Sequence, residues 1–493
     1  MLLNYFKTAF RNLVKHKAFS AINLLGLSFS MSVCLIMITM INDQLSYDTF
    51  HKNKNRIYRI ITDIEDKNGN IQPHATTSMP IGKLLQDEYA GIEMAATVSN
   101  RSLGEVKYNE KRIPISGYFA NQNFLQVFSF KLKHGDQNTA LQDPYTVVLT
   151  EEMSIKIFGT QESMGQTIEI GDKGAFTITG ILEKPTYKSH FKFDALCSGK
   201  TMKILEDKEQ LYPISDNWES AYMGYVYILI KEQTRPEQIA GYFDEIEKNN
   251  HRDHMEQKYH YRLQSLSSIT PGKFIYNETT AAFPLEGLYV IGALALIIML
   301  SACFNYTNLS ISRALTRAKE VGIRKVSGAK RIQIISQFLS EAILFSFISL
   351  IIAIFIFKFL LEAFNSMNIA EAISLNIQEN PTTYIWFFLF SLVVGVVAGI
   401  SPALFLSSFN PLNVLKKLSN VKLFSRITLR KSLIVAQFSI SLFFIITVII
   451  ISKQSDIFIK SEYGFNSDNI INIPLKDAKA ELFLNEVLKR NDV

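Results

Sequence analysis

The chain has 493 residues, 48% of them hydrophobic, a net charge of +6 and three cysteines. This composition leaves two classes open, several soluble domains or a membrane protein with one large soluble part, and the distribution of apolar residues decides between them. Cys34 and Cys303 fall in long apolar runs and only Cys197 lies elsewhere, which excludes a disulfide within a soluble domain.

In chain order, residues 1–21 set Leu3, Phe6, Phe10, Leu13 and Val14 at helical spacing beside a basic stripe of Lys7, Arg11 and Lys15. The pattern is that of an amphipathic helix lying in a membrane interface, or of a basic leader that only sets topology. The first apolar run, residues 22–41, is long enough to cross a bilayer core, which needs about 20 apolar residues. No small-x-small site precedes Asn42-Asp43, so the run reads as a retained anchor.

Residues 42–284 read as one extracytoplasmic domain of the α+β class with mainly antiparallel pairing. Strands are predicted at Arg56–Ile64, Tyr145–Leu149, Thr167–Ile170, Phe176–Leu182 and Met223–Ile230, each rich in β-branched and aromatic residues. A helix capped by Thr150 and ended by Gly159 is predicted, and a second, charged helix over Pro236–Asn249.

Four further apolar runs follow, at 285–312, 338–361, 384–406 and 433–452. The fold class is therefore an α-helical integral membrane protein with five spans and a large α+β domain between the first two. Lys and Arg concentrate in residues 1–21, 313–337 and 407–432, which places those segments and the N-terminus in the cytoplasm. The loop 362–383 holds Glu362, Glu371 and Glu379 with no Lys or Arg and belongs outside. This bias accounts for the net charge without nucleic acid. Pro402 breaks or ends the fourth span, and Asn410-Pro411 is predicted to open a short helix over Leu412–Leu418. Arg430-Lys431, the fifth run and residues 453–493 repeat the order with which the chain begins, so a second outer domain is expected to start there.

Few motifs carry chemistry. Asp194–Thr201 nearly matches a phosphate-binding loop, with Gly199, Lys200 and Thr201 in place but Asp194 where a glycine is needed, and reads as a strand end and turn. No other Walker-like loop exists, so ATP hydrolysis by that chemistry is not expected and no catalytic residue is assigned. His251, His254 and His260, with Asp253 and Glu256, could supply metal ligands. Without an H-E-x-x-H pattern the simpler reading is a solvated helix, and no metal site is expected.

Glu286, Glu341 and Lys358 all lie near span ends, which argues against an ion-driven carrier. Ser301, Asn305, Asn308 and Ser312 form one polar face of the second span, and Gly395 and Gly399 a small-residue step in the fourth. Both are helix-packing features, within one chain or between two.

The stretch Arg313–Arg331 carries seven Lys or Arg against Glu320. At roughly 100° per residue, Arg313, Arg317, Glu320 and Arg324 share one helix face. Ser327-Gly328 should break that helix, with a restart from Lys330. A retention signal needs only cations; the carboxylate, the glycines and an ordered turn point to a docking surface for a cytoplasmic partner.

AKEVGIRKVSGAKR, running on into QIISQFLSEA, resembles the cytoplasmic signature of the permeases related to MacB, FtsX and the lipoprotein-release permeases. TITGILEK and HFKFDAL resemble the periplasmic core domain of MacB-like permeases, and SPALFLSSFNPLNVLK the stretch after their fourth span. The resemblance implies a non-enzymatic permease subunit of an ABC transporter in a bacterial inner membrane. ATP and Mg would be bound by a separate ATPase subunit, with no cofactor in this chain. Lys319, Glu320, Gly322, Arg324, Lys325, Gly328 and Ala329 match the segment that contacts that subunit. It also implies a homodimer or heterodimer of permeases, with a periplasmic adaptor or outer-membrane channel as further partners, and export by mechanotransmission. Two alternatives stand beside it: an FtsX-like regulator of a periplasmic cell-wall hydrolase, and a membrane-anchored metalloenzyme using the His251 cluster. Many relatives carry two copies of anchor, domain and three spans, so one copy and the start of another suggests truncation.

Overall fold

The computed structural model describes residues 11, 14–15, 17–109, 111–185, 188–251, 257–280, 283–312, 314–366, 377, 381–408, 424–460, 473 and 480–490. The predicted helix Leu412–Leu418, most of residues 1–21 and most of the loop 362–383 lie outside these described residues, as do Arg313 and His254.

Helix α1 (Lys17–Leu45) leads into an inserted domain of strands β1 (Ile57–Glu65) and β2 (Ile71–His74), helix α2 (Pro80–Glu88), and β3 (Ile92–Ser99), β4 (Glu105–Tyr108), β5 (Lys111–Pro114) and β6 (Gly117–Ala120). Helix α3 (Phe124–Val127), β7 (Leu132–His134), β8 (Thr146–Thr150), α4 (Glu151–Phe158), β9 (Thr167–Ile170), β10 (Ala175–Leu182), β11 (Ala195–Ser198) and α5 (Gly199–Asp207) follow. The domain closes with β12 (Gly224–Ile230), α6 (Pro236–Ala240), α7 (Phe243–Asn250) and β13 (Lys258–Ser265). Then come α8 (Leu285–Ser312), α9 (Ala314–Val326), α10 (Arg331–Asn365), α11 (Pro381–Ser407), α12 (Phe424–Lys460) and α13 (Ala480–Val487).

The strands form one sheet in the order β13-β1-β12-β3-β6-β11-β8-β10-β9-β4-β5, with β2 on β1 and β7 on β10. Pairing is antiparallel except for β8 with β10 and β6 with β11, in line with the predicted class. Strand β12, GYVYILI, is buried at every position, as its uninterrupted apolar and aromatic run requires in the middle of a covered sheet. Between β3 and β6 only Val98–Ala120 and Ser99–Phe119 are in register, so the sheet is pinched there into two halves.

The five predicted strands are present within a residue of their expected ends, and α4 is closed as read: Thr150 Oγ1 accepts from Met153 N at 3.2 Å and Gly159 adopts φ 77°. The predicted single helix Pro236–Asn249 is two helices. Its hydrogen-bond ladder tightens at Gly241-Tyr242, where Tyr242 N reaches back only to Ile239 O, and glycine is a weak helix former. Arg59 is fully buried in the centre of β1, where its guanidinium meets both Glu278 carboxylate oxygens at 2.7 Å and also bonds Gln264 Oε1.

Helices α1, α8, α10, α11 and residues Ile434–Phe458 of α12 are each long and apolar enough to cross a membrane. Helix α8 matches its run, and the other four extend past the runs that located them, because a formed helix continues through polar flanks at little cost. The first four pack around Leu27, Met31, Cys303, Phe345, Phe357, Phe387 and Ala398. Residues 419–493 form a separate unit, which holds the span of α12. The molecule is thus a multi-pass membrane protein with a large strand-rich domain, and a purely helical class describes only its membrane part.

Candidate docking foot

Helix α9 ends where the sequence places its break. Gly328 takes φ 93°, which only glycine adopts cheaply, Ala329 N closes on Arg324 O at 3.0 Å, and Lys330 begins the next helix with its N–H on Gln333 Oε1. The result is a rigid helix-turn-helix, α9 to α10.

Of the predicted charged stripe, Arg317 and Arg324 turn inward. Arg317 forks onto Glu341 of α10 through two bonds of 2.9 Å, its guanidinium 5.7 Å from the centre of the Phe338 ring. Arg324 pairs with Glu320 on its own helix at 2.7 Å and donates to Gln337 of α10. Lys325 donates to the Ser407 carbonyl at the end of α11 at 2.7 Å, and burial, then the neighbouring Arg331, lower its ammonium below the ordinary value. Val321 seals this contact, buried against Ile334, Phe338, Ala403 and Leu406, with Gly322 buried beside it. Of the predicted contact residues, Gly322, Arg324 and Lys325 therefore grip the protein's own helices. Glu320 and Gly328 are exposed and Ala329 is half-buried; the Lys319 side chain lies outside the described residues.

The outward face of α9 carries Ile323, 52% exposed, and Val326, 65% exposed, with Ile332 of α10, 64% exposed, beyond the turn. Sequence reasoning weighed the cations and passed over these residues, although an exposed apolar pair at i, i+3 on a basic helix is itself a signal. It placed Glu341 only near a span end, without its partner Arg317, and passed over Gln337 and Ser407, which lie further along the chain.

The glycine step and Asn305 both make contacts within the chain. A Cβ on Gly395 would sit 2.7 Å from Ile343 Cα, and one on Gly399 2.5 Å from Ala342 Cβ, so the glycine step seats α10 directly on α11. Asn305 lies against Gly26 of α1, Asn308 is buried, Ser301 is half-buried, and Ser312 bonds back to the Asn308 carbonyl.

At the opposite end of the bundle, residues 188–190 tie the helix ends to the inserted domain. Lys188 Nζ meets Asp43 of α1 at 2.8 Å. Asp48 accepts from Ser189 Oγ at 2.6 Å, His190 Nδ1 at 2.8 Å and His51 Nε2 at 3.2 Å. Burial alone would push the Asp48 carboxyl up, but the His190 and His51 rings hold it well below the usual carboxylate range. Thr279 and Thr280, just before α8, donate to the His190 carbonyl at 3.0 and 3.1 Å.

The stretch Asp194–Thr201 is a strand running straight into α5: Ser198 Oγ donates to the Leu141 carbonyl and Thr201 Oγ1 accepts from Tyr145 N, while Gly199 and Lys200 border an open cleft of about 800 Å³. His251 bonds Tyr261 Oη at 2.6 Å, whereas His260 lies between Glu247 and Glu65.

The MacB-like periplasmic core domain family matches residues 20–246, and the FtsX-like permease C-terminal family matches residues 292–411. The chain is 20% identical over 432 residues to the uncharacterized ABC transporter permease YvrN of Bacillus subtilis, covering 84% of this chain and 100% of that protein. It is 23% identical over 253 residues to the macrolide export ATP-binding/permease protein MacB of Neisseria meningitidis, covering 51% of this chain and 36% of that one, so it spans about a third of that relative's length. Among solved structures, a permease domain from Porphyromonas gingivalis aligns with a TM-score of 0.38 at 20% identity, over 44% of this chain and 91% of that one. The periplasmic region of MacB from Actinobacillus actinomycetemcomitans aligns with a TM-score of 0.30 at 15% identity, over 43% of this chain and 90% of that one.

Proposed function

For a chain that belongs to the MacB- and FtsX-like ABC transporter permeases, we propose that α9 is the foot on which a separate cytoplasmic ATPase subunit docks, and that the chain relays that subunit's work to the inserted domain on the other side of a bacterial inner membrane. ATP and Mg bind to the partner, the N-terminus and α9 lie in the cytoplasm, and a second permease copy completes the assembly. The substrate is handled by the inserted domains for export by mechanotransmission, without a charged path through the spans.

One observation carries this reading. Helix α9 spends Arg317, Arg324 and Lys325 on its own bundle and turns an apolar ridge, Ile323 and Val326 with Glu320 alongside, toward solvent. A helix held this firmly, yet exposing apolar residues at i, i+3, has the form of a ridge that seats in a partner's groove. Positive charge for membrane retention needs neither the ridge nor the grip.

The test is co-purification in mild detergent with the ABC ATPase from the same operon. Ile323→Glu with Val326→Glu, and separately Glu320→Lys, should release the ATPase and abolish its stimulation while membrane insertion stays at the wild-type level. Retention of a stimulated complex by these variants would sink the docking assignment.

A further inference from the structure

We propose that the Arg317–Glu341 ion pair is the latch that hands a displacement of the foot to the membrane helices, which makes both residues positioning residues for coupling, neither touching the ATPase. This rests on the reading of α9 as the docking foot.

Glu341 is a carboxylate inside the apolar run 338–361 of α10, and such a group is costly at the edge of a membrane unless it serves a purpose. Topology does not need it, because orientation is read from Lys and Arg. The carboxylate is 7% exposed and the Arg317 side chain 18% exposed, and both bonds of the fork measure 2.9 Å. Two parallel charged bonds fix separation and direction together. Sliding α9 along α10 far enough to part the fork would break both bonds together and leave two largely buried charges without their partner, which is the strongly unfavourable half of a buried pair. The bonds of Arg324 and Lys325 are of another kind: Arg324 meets a neutral amide on α10 and Lys325 a backbone carbonyl of α11.

The position of the pair matters as much as its geometry. Beside it lies a small cavity of about 20 Å³, bordered by Phe19 of α1, Tyr306 and Ser310 of α8, and Gly399 and Pro402 of α11. That space suits a single water among polar groups. The pair thus stands where the foot meets all four packed spans, so motion of α9 reaches them there as the motion of one body.

The measurement uses the full chain reconstituted in nanodiscs with the ABC ATPase from the same operon, comparing wild type, Glu341→Gln and the exchanged pair Arg317→Glu with Glu341→Arg. Glu341→Gln should co-purify with the ATPase at the wild-type level yet stimulate ATP hydrolysis roughly tenfold less, within the range by which residues on a coupling route alter it. The exchanged pair should recover most of the stimulation. Wild-type stimulation by Glu341→Gln would overturn the latch. So would loss of binding together with stimulation, which would make the pair a shaper of the docking face, and so would a folded exchange variant that stays uncoupled. If Glu341→Gln fails to reach the membrane, the exchange variant decides alone. Absence of stimulation by the wild-type chain removes the docking reading, and the latch with it, and is recognisable without any variant.

Discussion

Replacing Gly399 with alanine tests the packing on which any relay through the spans depends. The added Cβ would lie 2.5 Å from Ala342 Cβ and 3.2 Å from Leu339 Cδ1, against an ordinary carbon contact of about 3.5–4.0 Å. Helices α10 and α11 must therefore part by about 1 Å, which forfeits roughly a quarter to a half of the dispersion well at each contact along the step. It also strains the Ser346 hydroxyl, which donates to the Ser391 carbonyl at 2.6 Å. The expected cost is about 1–3 kcal/mol, the usual range for one methyl too many in a packed interior. Gly395→Ala should cost a similar amount, since its Cβ would meet Ile343 Cα at 2.7 Å. The double variant should cost clearly less than the sum, because one separation accommodates both methyls. Ala342→Gly in the Gly399→Ala background should recover part of the loss, limited by the roughly 1 kcal/mol that glycine costs inside a helix. The assay is SDS-driven unfolding in a mild detergent, followed by the fluorescence of Trp386 on α11 in a Trp218→Phe background, since the chain has two tryptophans. A neutral Gly399→Ala, or strictly additive losses, would mean that α10 and α11 do not meet at this step.

Two predictions concern the inserted domain. Arg59→Ala should destabilise it by about 3–5 kcal/mol by stranding the Glu278 carboxylate, which is only 8% exposed, whereas Arg59→Met with Glu278→Leu should be far milder; thermal unfolding of the full chain read at Trp218 separates the two. Asp48, held below its usual range, contributes stability that is complete above its unfolded value near pH ~3.9 and is lost as pH falls through that region toward the folded value. Asp48→Asn should flatten the acid limb of the unfolding profile, and an unchanged limb would mean that other carboxylates govern it.

The parts of this fold that were legible in the sequence are those set by neighbours in the chain. A run such as Phe338–Leu361 must be helical in a bilayer because no water is present to satisfy its backbone. Gly328 and Gly159 mark helix ends because their left-handed conformations suit no other residue as well. What could not be read depends on residues far apart. Glu341 lies 24 positions from Arg317, and Glu278 lies 219 from Arg59, so periodicity saw a charged stripe on α9 and a stray arginine in a strand. Strands β4, β5 and β7 hold at most one β-branched residue each, against three in β9, so little in their own sequence marks them and the sheet that recruits them defines them.

The ties at the outer end of the bundle bear on how a relay could reach the inserted domain. Residues 188–190 form one short strap that holds both chain entries: Lys188 the end of α1 through Asp43, Ser189 and His190 the next turn through Asp48, and the His190 carbonyl the segment leading into α8. His190 Nε2 bonds Tyr227 Oη at 2.9 Å, and Tyr227 lies in β12, a fully buried strand of the sheet. Both helix ends are therefore tied to the same strap, and through it to a central strand of the domain. Two separate flexible linkers would let α1 and α8 move independently under the domain; a shared, buried and hydrogen-bonded strap makes their displacement a displacement of the sheet. The inner end has the same character, because Arg317 and Glu341 join the foot to the bundle through two short charged bonds. Stiff joints at both ends of a close-packed bundle are what a chain needs if it is to carry force through a membrane, whereas an ion-driven carrier would need ionisable groups along its spans.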